Sequence, residues 1–205
     1  DKLIYRVMDK DTLSAGLLAG EFDTGWRNVS AEEALDTLDG VDGLHADLME
    51  NKVVLQLTVN NEKFPAKVRH AFELAIDKQL IVDSVLKGHG QVTCSALMPS
   101  SPYFNSDIKF ERNIEEAKKL LNESGFDLSQ TFTIAADSGD REKVATIIQQ
   151  NLAEIGVTAE IVTGDSATLM SGIRDGSLDM ALLQTTTGAS PTYLILDYDV
   201  NGVTA

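Results

Sequence analysis

The sequence predicts an α/β fold with a mainly parallel sheet flanked by helices, because apolar, β-branched runs alternate with amphipathic helical segments. The alternation is clearest in the last third, where a βαβαβ core is predicted over residues 131–184. Such connections are almost always right-handed and give parallel strands covered by helices. The composition agrees, since 43% hydrophobic and 24% charged residues are typical of a globular chain. We therefore expect a single α/β lobe over residues 1–205.

Caps and prolines mark the elements of the first half. Ser30 can accept a backbone N–H and Glu33 can reach back, which is a capping box at a helix start. Pro65 suits the first turn of a later helix, because proline lacks an N–H that this turn leaves unpaired. The apolar residues that follow it at helical spacing are Val68, Phe72 and Ile76. In chain order we expect a strand over 3–8, a helix over 11–19 that stops at Gly20, a short strand ending at 23, a helix over 30–38, a turn over 39–43, a buried strand over 53–59, a helix from 65, a second helical stretch to 88 and an extended loop over 89–107.

The second half alternates more regularly. Asn113 can cap a helix that ends at Gly125. The elements expected after it are a strand over 132–136, a helix over 140–155, a strand over 157–162, a helix over 166–174 and a strand over 178–183. Ligands of parallel sheets bind beyond the carboxyl ends of the strands, which places the expected site at 137–139 and 184–191.

A loop dense in hydroxyls and small side chains follows the last predicted strand, over residues 185–193. Hydroxyls and free backbone N–H groups can hold a polar solute without any charge of their own. From this chemistry alone, an ordinary turn is an equally good interpretation. The candidate ligand-binding residues are Ser138, Gln184, Thr185, Thr186, Thr187, Ser190 and Tyr193.

Charge and motifs exclude several function classes. The formal net charge of -15 argues against nucleic acid as a partner, because phosphate binding requires clustered Lys and Arg. No glycine-rich nucleotide-binding motif and no nucleophile elbow occur, so we expect neither a cofactor nor an enzyme. His45, His70 and His89 lie too far apart in sequence for a metal-ligand motif, and no metal is expected. Cys94, the single cysteine, leaves no intrachain disulfide and is interpreted as a small, partly buried residue, with a reactive thiol as the alternative.

Several segments stand in one recognisable order. They are Asp9 with a helix over 13–18 and Ala-Gly-Glu-Phe-Asp at 19–23; Leu-Thr-Val-Asn at 57–60 with Phe-Pro at 64–65; Val-Arg-His-Ala-Phe at 68–72 and Ala-Ile-Asp-Lys at 75–78; Ala-Lys-Lys-Leu-Leu at 117–121; and Arg-Asp-Gly-Ser-Leu-Asp-Met at 174–180. Together they resemble extracellular solute-binding protein family 5, the dipeptide-, oligopeptide- and nickel-binding components of ABC importers. The resemblance covers nearly all of the chain.

The resemblance implies one lobe of a type II periplasmic-binding-protein fold, the second lobe of a larger two-lobed protein of which this chain is a fragment. Such a protein closes on its solute, here expected to be a peptide, and delivers it to ABC permease subunits in the membrane. It also implies an extracytoplasmic location, in the periplasm or lipid-anchored on the outer face of the cytoplasmic membrane, and a monomer. A nickel chelate or another small solute is the alternative within the family, and a peptide-acting enzyme is the distant one.

The most recognisable residues are predicted to be scaffold and not ligand contacts. Asn60 can bond the neighbouring turn, while Arg69 and Asp77 can pair or cap at a helix junction. The charged anchors of peptide-binding relatives have no match in the strand-end loops. Such relatives carry a tryptophan and then an aspartate after the last strand, where this chain has Thr185 and its neighbours. The arginine that some dipeptide binders offer to the peptide carboxylate is also missing, because Arg141 is expected to begin the next helix.

Overall fold

The computed structural model describes residues 2–25, 29, 31–41, 43–47, 53–95, 97, 99, 101–109 and 111–186. The chain divides into two compact units, the first formed by Asp1–Asn51 with Leu86–Gly90 and the second by Lys52–Val85 with Gln91–Ala205. Among the residues that are described, no helix combines the length and apolar character needed to cross a bilayer.

Helix α1 (Lys10–Leu18) is the first element of the first unit. Asp9 caps it, because Thr12 donates its backbone N–H to Asp9 Oδ1 at 2.9 Å and its hydroxyl to Oδ2 at 2.7 Å. The chain leaves the helix through Gly20 at a φ of 70°, in the left-handed region that favours glycine. Helix α2 (Ala31–Glu33) continues as a π-helix over Ala34–Leu38. Its predicted cap, Ser30, lies outside the described residues. The small core of this unit contains Leu13, Leu17 and Leu38.

The strands predicted over residues 3–8 and ending at 23 are wrong. No residue of either segment has strand geometry, and Leu3, Tyr5 and Val7 are 91%, 84% and 87% exposed. A strand requires a neighbour for its N–H and C=O groups, and none of the described residues pairs with these segments. Apolar residues in these segments therefore predicted strands for which the described residues supply no partner.

The second unit contains a four-stranded sheet in the order β1-β4-β2-β3. Its strands are β1 (Val53–Val59), β2 (Thr131–Ala136), β3 (Thr158–Thr163) and β4 (Met180–Thr186). Strand β2 pairs in parallel with both β3 and β4, whereas β1 pairs antiparallel with β4. The predicted α/β fold with a mainly parallel sheet is confirmed.

Five helices among the described residues accompany this sheet: α3 (Ala66–Ala75), α4 (Lys78–Ser84), α5 (Ile114–Ser124), α6 (Asp140–Glu154) and α7 (Ser166–Arg174). Their bounds agree with the predicted ones within a few residues. Asn113 caps α5 as predicted, accepting the Glu116 N–H at 3.0 Å, and α5 ends at Gly125, whose φ is 63°. The described residues of the predicted loop over 89–107 contain neither helix nor strand.

The two faces of the sheet pack against different helices. Ile134, Ala136 and Met180 join the main core, which includes residues of α3, α5 and α6. Ala135 and Ala181 point to the other face and pack with Leu169 of α7. Within the main core, the phenyl rings of four residues lie with neighbouring centroids 5.2 to 5.7 Å apart: Phe64, Phe72, Phe126 and Phe132.

Asp179 joins three strands at the edge where β2 and β4 begin. Its carboxylate, 9% exposed, accepts the Thr133 backbone N–H at 2.8 Å and the Lys63 ammonium at 2.5 Å. Its backbone oxygen accepts the Asn60 N–H at 2.9 Å, and its own N–H donates to the Thr133 hydroxyl at 2.9 Å. Lys63 Nζ also lies 5.1 Å from the centre of the Phe132 ring. One buried residue, Asp179, therefore holds together the turn after β1 and the starts of β2 and β4.

Asn60 and Asp77 make the local contacts that the sequence predicts for them. Asn60 Oδ1 accepts the N–H groups of Glu62 and Lys63 at 2.9 and 3.2 Å and so closes the turn before α3. Asp77 Oδ1 accepts the Leu80 N–H at 2.9 Å and caps α4. Arg69 donates to the Phe64 carbonyl oxygen at 2.7 Å and does not pair with Asp77.

We expect Asp179→Ala to lower the free energy of unfolding by about 3 kcal/mol, because it leaves a lysine and a buried N–H without their acceptor. Lys63→Met is the matched control: it keeps an apolar stem near Phe132 and removes only the ammonium group of a side chain that is one-third exposed, so it should cost about 1 kcal/mol. Urea unfolding followed by circular dichroism measures both. Equal losses in the two variants would contradict a central role for the carboxylate.

Helix α7 should add a pH-dependent part to stability. The backbone N–H and the hydroxyl of Thr168, followed by the N–H of Ala167, bond to Asp165 and hold its pKa below the ordinary value of 3.8. Because the folded pKa is depressed, this stabilisation is present above the unfolded pKa and is lost as the pH falls through the folded pKa. Asp165→Asn keeps a capping oxygen that does not titrate. Its urea midpoint should therefore fall less than that of the wild type between about pH 6 and about pH 3, and an equal fall would contradict the assignment.

Candidate functional site

Strands β2 and β4 are parallel neighbours, with Ile134 paired with Met180 and Ala135 with Ala181. Strand β4 continues beyond the level at which β2 ends at Ala136. In that part of β4, Gln184 accepts a hydrogen bond from Arg141, which stands at the start of α6. Two segments that are distant in sequence thus meet at one edge of the sheet, which we call the strand-end edge (residues 137–141 and 184). Parallel sheets bind their ligands at this kind of edge.

An ion pair lies across the junction between β2 and α6. Arg141 donates from Nε to Asp137 Oδ1 and from Nη2 to Asp137 Oδ2, which is a bidentate arrangement. The chain turns between the two residues through Gly139, whose φ is 91°. The two side chains are 27% and 23% exposed, so solvent reaches the pair from one side.

Gln184 connects this ion pair to β4. Its side-chain oxygen Oε1 accepts a hydrogen bond from Arg141 Nη1 at 3.1 Å. Three of the five N–H groups of the arginine are thereby used, and the other two have no partner among the described residues. Both N–H groups of the Gln184 side-chain amide also have no acceptor among the described residues. The strand-end edge is therefore rich in hydrogen-bond donors.

The segment at the start of α6 has a negative net charge. Asp140 Oδ1 accepts from Lys143 Nζ at 2.9 Å, and Glu142 stands in the same first turn. Residues 137–143 thus carry three carboxylates and two cations. The partial positive charge of the helix N-terminus is already matched by its own acidic residues.

Two predicted site residues lie at this edge with exposed side chains, Ser138 and Gln184. Thr185 and Thr186 form the end of β4, where their backbones pair with Val54 and Val53. The side chains of these two threonines lie outside the described part of the structure. Thr187, Ser190 and Tyr193 lie outside the described residues. The role of every one of these seven residues in binding stays a prediction.

Asp137 lies in the predicted site range over 137–139 but is not among the candidate ligand-binding residues, and Arg141 is expected only to begin the next helix. Arg141 does stand in the first turn of α6, as predicted, but its side chain reaches back to the strand ends. The available signal was the spacing: an aspartate and an arginine four residues apart at a helix start can pair. The spacing could not show that Arg141 would also donate to the side-chain oxygen of Gln184, because that contact depends on the pairing of β2 with β4.

Among the described residues, no group of three His, Cys, Asp or Glu side chains is close enough together to hold a metal ion. Two shallow clefts of about 380 Å³ each lie along the carboxyl-terminal end of α6. Neither cleft is lined by any of the seven predicted residues.

Comparison with known proteins gives a consistent result. Residues 1–203 match the model of the bacterial extracellular solute-binding proteins, family 5 Middle. The oligopeptide-binding protein AppA of Bacillus subtilis is 32% identical over 178 residues, which cover 77% of this chain and 32% of the relative. Heme-binding protein A of Haemophilus influenzae is 30% identical over 192 residues, which cover 87% of this chain and 34% of the relative. The chain spans about a third of the length of these relatives.

A solved structure supports the fold. The crystal structure of NikZ from Campylobacter jejuni in complex with Ni(L-His) superposes with a TM-score of 0.74 at 21% sequence identity, over 90% of this chain and 39% of that one. The names of these three proteins give three different ligands: an oligopeptide, heme and Ni(L-His). Similarity therefore indicates the architecture without selecting the solute.

Proposed function

Because the chain belongs to the bacterial extracellular solute-binding proteins of family 5, we propose that it forms part of the substrate-binding component of an ABC importer that captures peptides. Its fold is that of the type II periplasmic binding proteins, a mixed α/β lobe with helices on both faces of a four-stranded sheet. The protein would collect its solute outside the cytoplasmic membrane and deliver it to the permease subunits.

One observation carries the proposal for peptides. The strand-end edge presents hydrogen-bond donors from Arg141 and Gln184, together with the exposed hydroxyl of Ser138. Peptide backbones have carbonyl oxygens at regular intervals, and these accept such donors without requiring a net charge. Burial between two lobes would exclude water and strengthen each bond, and closure would signal occupancy to the permease.

The proposed mechanism requires no chemistry on the solute. Within the described residues, Asp137 and Arg141 satisfy each other, and no serine or cysteine beside them forms a set of nucleophile, base and orienting group. A peptide-acting enzyme is therefore the weaker proposal, and turnover of a bound peptide would revive it.

A metal chelate is the second candidate. It is favoured by the fold similarity to a protein solved with Ni(L-His). A metal that arrives with organic ligands of its own needs no cluster of protein ligands, and the described residues contain none. In such a complex the donors of the strand-end edge would bind the organic part of the chelate.

Native mass spectrometry of the protein expressed from its full gene separates these candidates. We expect a bound mass in the range of short peptides, which is lost on unfolding and restored by adding a peptide mixture. A mass shift that requires nickel with histidine, and is absent with peptides, would replace the peptide proposal by metal-chelate uptake. Retention of heme would do the same for a porphyrin solute.

A pair of glutamines tests whether the strand-end edge contacts the solute. Gln184→Ala removes the side chain that joins Arg141 to β4 and should weaken binding about tenfold, as expected for one or two lost hydrogen bonds. Gln150→Ala is the matched control, because Gln150 is exposed on α6 beside one of the shallow clefts. Calorimetry with the peptide identified above measures both, and equal affinities would remove Gln184 from the site.

A further inference from the structure

We propose that Asp137 determines the specificity of the strand-end edge, by neutralising Arg141 so that the edge accepts neutral carbonyl groups and rejects free carboxylates. The inference rests on the proposed function, because it assumes that a solute reaches this edge. It goes further by naming the part of the solute that binds here: an internal stretch of amide backbone, and not a chain-terminal carboxylate.

The geometry of the ion pair is the first argument. Asp137 occupies Nε and Nη2 of Arg141, the side-on edge and one of the two edges on which a guanidinium binds a carboxylate with two parallel hydrogen bonds. A carboxylate of the solute would have to displace Asp137 to obtain the same geometry. A carbonyl oxygen needs only one N–H, and two of the arginine's five remain without a partner among the described residues.

The surrounding charge is the second argument. Carboxylates outnumber cations by three to two over residues 137–143. Lys143, the other cation of this segment, is bound to Asp140 at 2.9 Å. An incoming anion would therefore meet repulsion that a neutral group does not meet, and this repulsion is strongest in a closed cleft from which water is excluded.

The neighbouring side chains are the third argument. Gln184 offers an amide group and Ser138 a hydroxyl, and both are exposed at the same edge. These groups donate and accept hydrogen bonds without charge, which suits the alternating N–H and C=O groups of a peptide backbone. The edge would thus bind the middle of a peptide in preference to its carboxyl end.

The first test needs no knowledge of the natural solute. The Nε–H signal of Arg141, assigned by its loss in Arg141→Lys, is followed by NMR while sodium acetate replaces sodium chloride at constant ionic strength. We expect no saturable shift in the wild type, because Asp137 holds the guanidinium. Asp137→Asn frees the cation without changing the size of the side chain, and its Arg141 signal should shift saturably with acetate.

The second test uses the protein expressed from its full gene and two forms of tetra-alanine, one with a free carboxylate and one with a carboxamide. The wild type should bind both with similar affinity, because its edge contacts internal amide groups and the chain end lies elsewhere in either form. Asp137→Asn should prefer the free acid by about tenfold, because the freed guanidinium can then bind the terminal carboxylate. The double variant Asp137→Asn/Arg141→Gln should lose that preference. Circular dichroism of each variant establishes that the comparison is made between folded proteins.

The outcomes separate the two proposals. The role of Asp137 would be overturned by a saturable acetate shift of the Arg141 signal in the wild type, or by the absence of such a shift in Asp137→Asn. In the peptide test, a wild type that already prefers the free acid would overturn it too. If the acetate results are as expected and neither peptide binds any variant, the peptide-binding proposal fails while the charge selectivity of the edge stands.

Discussion

The buried carboxylate of Asp179 is the constraint on which the described sheet depends. One side chain and one peptide unit fix the starts of β2 and β4 and the turn that leaves β1. Next to this contact β2 and β4 pair in parallel, with Ile134 opposite Met180 and Ala135 opposite Ala181. The same pairing brings the end of β2 near Gln184, which contacts Arg141 at the opposite end of the sheet. A structural carboxylate at one end of the sheet therefore positions the donors at the other.

Much of this fold could be predicted from the sequence, because the signals were local. Asn113 and Asp77 are caps by virtue of side chains that bond N–H groups three residues away. Val68 and Phe72 are core residues because helical spacing puts them on one face, and both are buried. The segment over residues 3–8 shows the limit of such reasoning, since a strand depends on a partner that the pattern does not contain.

The location of the candidate site could be predicted from the sequence, but the contacts between its residues could not. The rule that ligands bind beyond the ends of parallel strands directed attention to Ser138 and Gln184, and both lie at the strand-end edge. The contact between Arg141 and Gln184 joins residues far apart in the chain, and it follows from strand order. Strand order is a property of the whole sheet, so no motif could have indicated that arginine and glutamine would meet.

The antiparallel pairing of β1 with β4 also determines the order in which the sheet can form. Strands β2 and β3 are joined through α6 alone, so they can pair as soon as that short unit exists. Val53, by contrast, pairs with Thr186, across nearly the whole length of the second unit. Closing so long a loop carries an entropic cost that is recovered only when β4 arrives, and such non-local pairing slows folding. Strand β1 therefore precedes its only described neighbour, β4, by the length of three helix-containing connections, and it cannot pair until β4 is present.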